Sequence, residues 1–252
     1  MEANPFQACV VIPTYNAGPL LQTTVESVLP HAPCVIVAVD GSSDGSDRGL
    51  AGLARCWPGL HVLSSPRNEG KGVATLRAMA HARSLGYTHA AVFDSDGQHC
   101  AQDLPRFLEI ARTHPHSMVL GKPVFGTDAP WERVWARKLG NWCTHLETLW
   151  GGVGDSLFGF RVYPLAQSLA VMAGVRGGSG FDFDTQLVVR LAWAGVRPVN
   201  VPTRVRYYPC AEGGRSHFRY LSDTFLLAQV HFRLLCEAAR RFPELLRLRR
   251  RR

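Results

Sequence analysis

The chain has 252 residues, of which 46% are hydrophobic and 19% charged, and its formal net charge is +8. This balance excludes a disordered chain and a fibrous repeat, and it suits one large domain or two smaller ones. The seven cysteines are scattered without a Cys-x-x-Cys pair, which predicts reduced thiols in a cytosolic protein. No signal peptide is recognisable, and no apolar stretch approaches the roughly 18 residues of a membrane span.

Short apolar runs alternate with helical patterns in the first half of the chain, which is typical of βα units and a mainly parallel sheet. The predicted strands cover residues 8–12, 35–39, 61–63, 90–93 and 118–120. The predicted helices lie near residues 19–29, 70–85 and 104–113. We therefore expect an α/β fold with helices flanking a central sheet.

The second half of the chain is less regular. A region rich in Gly, Pro and Trp, 121–159, is expected to wrap the sheet edge and to contain one helix around 131–149. Two further helices are predicted at 184–194 and 220–241, with a strand pair around 197–207 between them. No segment resembles a linker, so we expect one domain over residues 1–220 and a basic amphipathic C-terminal helix and tail over residues 221–252.

Polar residues follow three of the predicted strands directly. In open α/β sheets the ligand lies beyond the carboxyl ends of the strands, so these segments are expected to share one edge. They are Pro13-Thr14-Tyr15-Asn16, Asp40-Gly41-Ser42-Ser43-Asp44-Gly45 and Asp94-Ser95-Asp96-Gly97-Gln98-His99.

The Asp94 segment carries the strongest chemical signal. Asp94, Asp96 and Gln98 alternate, so in an extended backbone their side chains point one way, and hard oxygen donors at that spacing suit Mg²⁺ or Mn²⁺. A calcium loop of the EF-hand type would need Gly sixth and Glu twelfth, where the chain has His99 and Pro105. Asx turns at a strand end remain the simpler alternative.

Two other segments give weaker signals. Asp40, in a turn rich in Gly and Ser, could accept a hydrogen bond from a nucleobase or ribose. Lys71 and the backbone N–H groups around it stand at a predicted helix start, which is a ready anion site. Gly72 follows that lysine where a P-loop has Ser or Thr, so the P-loop interpretation fails. A solvated lysine at a helix start is the alternative.

Five ordered motifs resemble the family 2 glycosyltransferases, in particular the branch of dolichol-phosphate mannosyltransferase and other polyprenyl-phosphate sugar transferases. The resemblance covers about residues 8–220. The motifs are Val10-Val11-Ile12-Pro13-Thr14-Tyr15-Asn16, Asp40-Gly41-Ser42-Ser43-Asp44-Gly45-Ser46, Asn68-Glu69-Gly70-Lys71-Gly72, Asp94-Ser95-Asp96-Gly97-Gln98-His99 and Asp155-Ser156-Leu157-Phe158-Gly159-Phe160-Arg161.

The resemblance implies a Rossmann-like GT-A fold and an inverting displacement at the anomeric carbon of a nucleotide sugar, linked to UDP or GDP. It implies a divalent ion, Mg²⁺ or Mn²⁺, on Asp94, Asp96 and Gln98. The ion would neutralise the departing diphosphate. The residues expected to bind the nucleotide sugar are Pro13, Tyr15, Asn16, Asp40, Lys71, Asp94 and Ser95.

Asp155 and Asp184 are the catalytic candidates that the resemblance implies. Asp155 matches the aspartate before the family's Gly-Phe-Arg and would act as a base for a hydroxyl acceptor, or only orient an acceptor that is already an ionised phosphate. Asp182 and Asp184 match an acidic helix start found in many relatives, with N-capping as the alternative.

The acceptor is expected to contact Lys122, Arg161, Arg215 and His217, although Arg161 could also be structural. The sequence departs from the family pattern here, because the family's Gly-Ser-Arg reads Gly121-Lys122-Pro123 and its Ser-Lys-Phe reads Ser216-His217-Phe218. Lysine lacks the bidentate fork and histidine is only partly charged at neutral pH, which weakens the prediction of a phosphate acceptor. Val39 also replaces the first of two aspartates usual after strand two.

The C-terminal segment mixes apolar residues with arginines, and residues 237–252 hold seven Arg and two Glu. Such a segment suits an anionic lipid surface, so peripheral membrane binding through this arginine cluster is one interpretation. A helix packed on the domain is the other, and nucleic-acid binding is not expected. Trp131, Trp135 and Trp142 share one predicted helix and are interpreted as core or as a lipid-facing edge.

Together these patterns predict a metal-dependent inverting glycosyltransferase that uses a lipid-linked acceptor at the cytosolic, inner face of a membrane. A soluble glycan or protein hydroxyl is the alternative acceptor. A sugar nucleotidyltransferase is less favoured because its Gly-rich Arg/Lys signature is not found near the amino terminus. A non-catalytic nucleotide-binding scaffold would not require Asp94, Asp96 and Asp155.

Overall fold

A computed structural model describes residues 5–125, 131–175, 177–178, 180, 182–205 and 220–250, with only the backbone at 131–133, 136 and 220–224. Its centre is a seven-stranded sheet in the order β3-β2-β1-β4-β6-β5-β7. The strands are β1 (Ala8–Thr14), β2 (Val35–Asp40), β3 (Leu60–Ser65), β4 (His89–Val92), β5 (Ser117–Val124), β6 (Arg161–Pro164) and β7 (Arg197–Arg204).

The sheet is mainly parallel, as predicted. Strand β6 is antiparallel to both of its neighbours, β4 and β5, and every other pairing is parallel. The segment that leads into β6 therefore lies at the edge where the other strands end. The strand order reverses between β1 and β4, which is where open α/β sheets form their ligand crevice.

Helices cover both faces of the sheet. They are α1 (Leu20–Val28), α2 (Leu50–Cys56), α3 (Lys71–Ser84), α4 (Leu104–Thr113), α5 (Trp131–Glu147), α6 (Leu165–Met172), α7 (Phe183–Trp193), α8 (Tyr220–Arg240) and α9 (Phe242–Arg250). The α/β prediction is confirmed, and all of the predicted helices are present within a few residues of their expected limits.

Four features differ from the sequence prediction. The helices α2 and α6 and the strand β6 were not expected, and each is only four to eight residues long. Such short segments contain too few periods to show a clear hydrophobic pattern. The expected strand pair around 197–207 is wrong, because the described part of that region forms one strand, β7, that pairs with β5.

The apolar strands supply two hydrophobic layers. Along β1, Cys9 and Val11 join the cluster beneath α3, α6 and α7, while Val10 and Ile12 join the cluster beneath α1 and α4. Successive strand residues point to opposite faces, so a strand buried on both faces must be apolar without interruption. The six cysteines in the described part of the chain are free thiols.

The C-terminal helices pack on the domain. Val230, Leu234 and Ala238 of α8 and Leu245 of α9 share a buried cluster with Val189 and Trp193 of α7. Beside that cluster Arg190 donates to both carboxylate oxygens of Glu237, at 3.0 and 2.9 Å. The packed-helix interpretation is therefore correct for this face of α8. No helix in the described ranges is long and apolar enough to cross a bilayer.

We predict that Leu234→Ala lowers the free energy of unfolding by about 2–5 kcal/mol, because Leu234 is fully buried and its truncation leaves a cavity. The matched control is Phe232→Ala, two residues away on the exposed side of α8, which should change stability by less than about 0.5 kcal/mol. Urea unfolding of both variants measures the difference. Equal stabilities would show that α8 does not contribute to the core.

Candidate active site

The candidate site lies beyond the carboxyl ends of β1, β2 and β4. Tyr15 and Asn16 follow β1, Asp40 ends β2, and the Asp94 segment follows β4. The loop 154–160, which leads into the antiparallel strand β6, reaches the same edge. The fold thus brings together four of the five motifs found in the sequence, and the fifth supplies the first residue of α3, Lys71.

Lys71 is the centre of the site. Its Nζ lies 2.7 Å from Asp94 Oδ1 and 2.7 Å from Asp184 Oδ2. Burial lowers the pKa of Lys71, but the two carboxylates outweigh burial and hold this pKa above its usual range. Burial likewise raises the pKa of Asp94, while Lys71, followed by His99, lowers it well below its usual range. Lys71 is therefore cationic and Asp94 anionic near neutral pH.

Asp94 is held from two further sides. A Cβ atom at position 159 would overlap its carboxylate, so only glycine permits this approach of the β6 loop. His99 Nε2 lies 3.5 Å from Asp94 Oδ2, and the His99 ring packs edge-on against Phe93 and Phe158. His99 therefore shapes the loop around Asp94, in agreement with its position beside the proposed metal ligands.

Asp96 and Gln98 are the other two predicted ligands of a divalent cation. Asp96 Oδ1 accepts the Gln98 backbone N–H at 3.0 Å, which is an Asx turn. Burial, and then the neighbouring charge of Asp94, raise the pKa of Asp96. No three His, Cys, Asp or Glu side chains converge on a metal position within the described residues. Asp94 and Asp96 are close enough for their charges to repel, and a hard cation would offset this repulsion. The set of Asp94, Asp96 and Gln98 as metal ligands stays a prediction.

Asp40 joins two elements at the edge of the sheet. Its side chain is buried, its Oδ1 accepts the Glu69 N–H at 3.0 Å, and its Oδ2 accepts the Gly70 N–H at 2.7 Å. Gly41 follows with φ of 68° and lies so close to Arg67 and Asn68 that a side chain would overlap their backbone. Asp40 thus ties the end of β2 to the start of α3, and its contact with a nucleoside stays a prediction.

The other residues expected to bind the nucleotide lie near the ends of β1 and β4. Pro13 is buried in β1, and the side chain of Tyr15 is exposed next to it. Asn16 has φ of 47°, and its Oδ1 accepts the N–H groups of Ser43 and Asp44. Asn16 therefore joins the loops after β1 and β2. Ser95 is buried, and its carbonyl accepts a long 3.5 Å hydrogen bond from Thr24.

Asp155 does not have the environment of a general base. It is 2% exposed. Its Oδ1 accepts from Arg137 Nη1 and from the N–H groups of Leu157 and Phe158, and its Oδ2 accepts from Asn141 Nδ2, all at 2.8–3.0 Å. Because every contact is with a donor, the carboxylate fixes the loop before β6 to helix α5. These contacts suit a positioning role, and the base role of Asp155 stays a prediction.

Asp184 and Asp182 make different contacts. Asp184, in the first turn of α7, binds Lys71, whereas Asp182 accepts the N–H groups of Gly178 and Gly180 and so fixes the loop before the helix. The N-capping alternative is wrong in detail, since neither side chain caps the helix backbone. Asp184 is buried and ion-paired, so it too lacks the setting of a free base.

The predicted acceptor residues are only partly assembled. Arg161 is fully buried, and its Nη1 donates to Tyr163 Oη at 2.8 Å and to the Asp184 carbonyl at 3.0 Å, so it supports the site from below and does not face an acceptor. Lys122 is exposed on β5. Arg215 and His217 lie outside the described residues.

Sequence reasoning missed two residues of this region, Arg137 and Asn141. Both lie on α5, one turn apart, and both bind Asp155. Their spacing of four along a helix is a usable signal, because such residues share one face. Nothing in the sequence shows which loop that face meets.

Comparisons with known proteins agree with this geometry. The family model "Glycosyl transferase family 2" matches residues 9–166. Because this match covers more than half of the chain, the protein belongs to glycosyl transferase family 2, and it is a glycosyltransferase.

Two relatives come from the branch expected from the motifs. Undecaprenyl-phosphate mannosyltransferase of Micrococcus luteus is 28% identical over 207 residues, which are 76% of this chain and 80% of the relative. Polyprenol monophosphomannose synthase of Mycolicibacterium smegmatis is 28% identical over 201 residues, which are 77% of this chain and 75% of the relative. The resemblance to polyprenyl-phosphate sugar transferases is confirmed.

A solved structure shares the fold. Glucosyl-3-phosphoglycerate synthase from Mycobacterium tuberculosis, crystallised with Mn²⁺ and UDP-glucose, superposes with a TM-score of 0.64 at 19% identity. The match covers 92% of this chain and 79% of that one. At this identity the likeness confirms the GT-A fold alone.

We predict that Lys71→Met lowers the free energy of unfolding by about 3 kcal/mol, because it leaves the buried Asp184 and the partly buried Asp94 without their shared cation. The control is Lys138→Met, which removes an exposed lysine of α5 and should cost less than about 0.5 kcal/mol. Thermal or urea unfolding distinguishes the two variants. A Lys71→Met protein as stable as the control would show that the ion pair does not support the fold.

Proposed function

We propose that the protein moves a sugar from a nucleoside diphosphate sugar to a lipid-linked acceptor, a polyprenyl phosphate or another lipid. The observation that carries this proposal is the acidic pair Asp94 and Asp96 beside cationic Lys71, at the point where the strand order reverses. The printed names of the two mannosyltransferase relatives support the lipid-phosphate acceptor.

The donor is proposed to lie across the ends of β1 and β4. Tyr15 is an exposed aromatic ring at that edge and suits a nucleoside, while Lys71 offers positive charge to a diphosphate. Asp94, Asn16 and Ser95 would line the same region. The base is proposed as uracil or guanine, and UDP is the nucleotide in the related solved structure.

A divalent cation, Mg²⁺ or Mn²⁺, fits the donor set of Asp94, Asp96 and Gln98. When bound, it supplies positive charge where the departing diphosphate gains negative charge. Lys71 would then contribute in two ways, since it keeps Asp94 ionised and adds its own charge near the diphosphate. His99 and Gly159 keep the Asp94 carboxylate in its position.

The state of the two other aspartates favours a phosphate as the nucleophile. A hydroxyl acceptor would need a base to remove its proton, but Asp155 and Asp184 are buried and accept bonds from N–H donors or cations. A phosphate is already ionised near neutral pH and can attack the anomeric carbon without such a base. Direct attack of this kind inverts the anomeric configuration.

The acceptor phosphate is proposed to meet the positive side chains of Lys122, Arg215 and His217. The C-terminal arginine cluster would hold the protein peripherally on the inner face of the membrane, where a lipid-linked acceptor is presented. Five arginines of α8, α9 and the turn between them lie in the described part of this cluster, and they are Arg240, Arg241, Arg247, Arg249 and Arg250.

The test is a transfer assay with radiolabelled UDP- and GDP-linked sugars, Mn²⁺ and membrane lipid extract. We expect label to enter the organic phase. Asp96→Asn should reduce this transfer by about a hundredfold or more, because it removes a carboxylate from the donor set. The control, Glu109→Gln, changes an exposed acid on α4 in the same way and should leave the rate unchanged.

Calorimetry extends the same comparison to binding. Asp96→Asn should lose the part of nucleoside diphosphate affinity that depends on Mn²⁺. If label stays in the aqueous phase on a glycan or protein, the lipid acceptor is wrong although the enzyme class stands. If Asp96→Asn transfers sugar at the normal rate, the metal site is wrong.

A second variant separates a positioning role from base catalysis. Asp155→Asn keeps the shape of the side chain and should lower kcat by about tenfold or less, with a loss of about 1–2 kcal/mol in stability. Removal of a true general base costs about 10²–10⁴-fold. Initial rates at saturating donor, together with urea unfolding, measure both quantities. A fall in kcat of about 10²–10⁴-fold without a loss of stability would show that Asp155 is a general base.

A further inference from the structure

Helices α5 and α8 expose an unusual set of large apolar side chains. We use the term aromatic face for Trp135, Leu139, Trp142, Phe225 and Phe232. Each of these side chains is between 55% and 69% exposed. Large apolar groups that are exposed together mark interaction surfaces in soluble proteins.

The residues lie in register along each helix. Trp135, Leu139 and Trp142 are spaced by four and three, so they share one side of α5, opposite the buried residues Gly140 and Thr144. The sequence interpretation of Trp135 and Trp142 as core is therefore wrong, and the interpretation as an outward edge is retained. The side chain of Trp131 is outside the described set.

Exposed apolar residues also share one side of α8. Phe225 and Phe232 are seven residues apart, which is close to two turns, and therefore lie on one side of the helix. The smaller residues exposed along that side, Ala228, Gln229, Cys236 and Ala239, carry no formal charge. The opposite side, with Val230, Leu234 and Ala238, is buried in the cluster shared with α7. One side of α8 thus serves the core, while its exposed part presents Phe225 and Phe232 together with Arg233 and Arg240.

The two helices pack against each other, and each carries its strip on a side that this contact leaves exposed. His231 Nδ1 of α8 lies 2.7 Å from Glu147 Oε1 of α5, and both side chains are buried between the helices. A Cβ atom at Gly140 would lie 3.5 Å from the His231 ring, which shows how closely the helices approach. Trp193 Nε1 donates to the Glu147 carbonyl and joins α7 to the same contact.

Positive charge accompanies the aromatic face. Lys138 Nζ lies 5.1 Å from the centre of the Trp135 ring. The arginines of α9 and of the end of α8 continue the basic character. Among the acidic side chains described on α8 and α9, Glu237 and Glu244 pair with Arg190 and Arg241 respectively, while the side chains of Glu132 on α5 and Asp223 on α8 are outside the described set. Exposed Trp and Phe beside unneutralised Lys and Arg match a bilayer interface, where rings enter the headgroup layer and cations meet anionic phosphates.

We propose that the aromatic face inserts into the headgroup region of an anionic phospholipid membrane and, with the adjacent arginines, forms the membrane-docking surface of this protein. The inference deepens the proposed function, because it assigns a surface to the membrane on which a lipid-linked acceptor would be found. Binding to lipid itself requires neither donor nor acceptor. The arginines would attract the protein to the anionic membrane surface, whereas the aromatic face would determine how deeply the protein inserts and how it is oriented on the membrane.

The docking surface is connected to the candidate site. Arg137 and Asn141 of α5 bind Asp155, and the loop that Asp155 fixes contains Phe158 and Gly159, which contact His99 and Asp94 respectively. Helix α5 also follows β5, whose carboxyl end lies at the site edge. A membrane bound to α5 would therefore lie near the entrance from the acceptor side.

The experiment uses the full chain and extruded vesicles of phosphatidylcholine, with or without about one-third phosphatidylglycerol. Flotation measures the partition coefficient of the wild type, of Trp135→Gln/Trp142→Gln and of Phe225→Gln/Phe232→Gln. The matched control is Trp57→Gln, an exposed tryptophan that follows α2 and lies outside the aromatic face. We expect each double variant to lose about tenfold or more in partition to anionic vesicles, and the control to bind as the wild type does.

A second measurement addresses insertion directly. Brominated phospholipids should quench the tryptophan fluorescence of the wild type and of Trp57→Gln, but much less that of Trp135→Gln/Trp142→Gln. Circular dichroism verifies that each variant is folded. A wild type that does not bind anionic vesicles, or folded double variants that bind as well as the wild type, would overturn the proposal.

Light scattering separates the membrane from another occupant. If the wild type is a dimer and the double variants are monomers with unchanged vesicle binding, the aromatic face joins two copies of this chain and the proposal is wrong. Binding of UDP or GDP with Mn²⁺ in the absence of vesicles should be the same in all variants. Loss of vesicle binding with normal nucleotide binding distinguishes a docking defect from failure of the proposed enzymatic function.

Discussion

The shared ion pair of Lys71 with Asp94 and Asp184 is the interaction on which the site depends. It joins three distant parts of the sequence, namely the start of α3, the end of β4 and the first turn of α7. Since these charges are largely withdrawn from water, the loss of one partner leaves the others poorly compensated. Arg161 adds a fourth charge from below through Asp184. The same electrostatic arrangement that holds the sheet and helices together therefore also determines the charge presented to a ligand.

The fold and the location of the site could be predicted from the sequence, but several side-chain roles could not. Long apolar runs fix the strands, and the parallel topology then places their polar endings at one edge, which is how the Asp40 and Asp94 segments were found. The partners of Asp40 and Asp155 are backbone N–H groups and an α5 arginine. A sequence motif does not show such contacts. An aspartate in a motif therefore looks the same in the sequence whether it binds a substrate or fixes a loop.

The exposure of the tryptophans in α5 was also difficult to predict from the sequence. A tryptophan repeated at helical spacing indicates that one side of a helix is apolar, but not whether that side meets the protein interior or its surroundings. In α5 the small residues Gly140 and Thr144 face inward, which leaves the large residues outside. The clue in the sequence was therefore the position of the small residues, because a close helix contact such as that of Gly140 with His231 requires them.

The reversed direction of β6 has a consequence for how such a site can diversify. The loop 154–160 approaches the shared edge from the opposite chain direction to the segments that follow β1, β2 and β4. It is anchored to α5 through Asp155 and to the sheet through the Gly154 N–H, which donates to Asn200 of β7. Most of its residues are buried, and Gly159 must remain glycine beside Asp94, so this loop tolerates little change. Diversification of such a site would therefore fall on the segments around the loop and leave the loop itself as its fixed part.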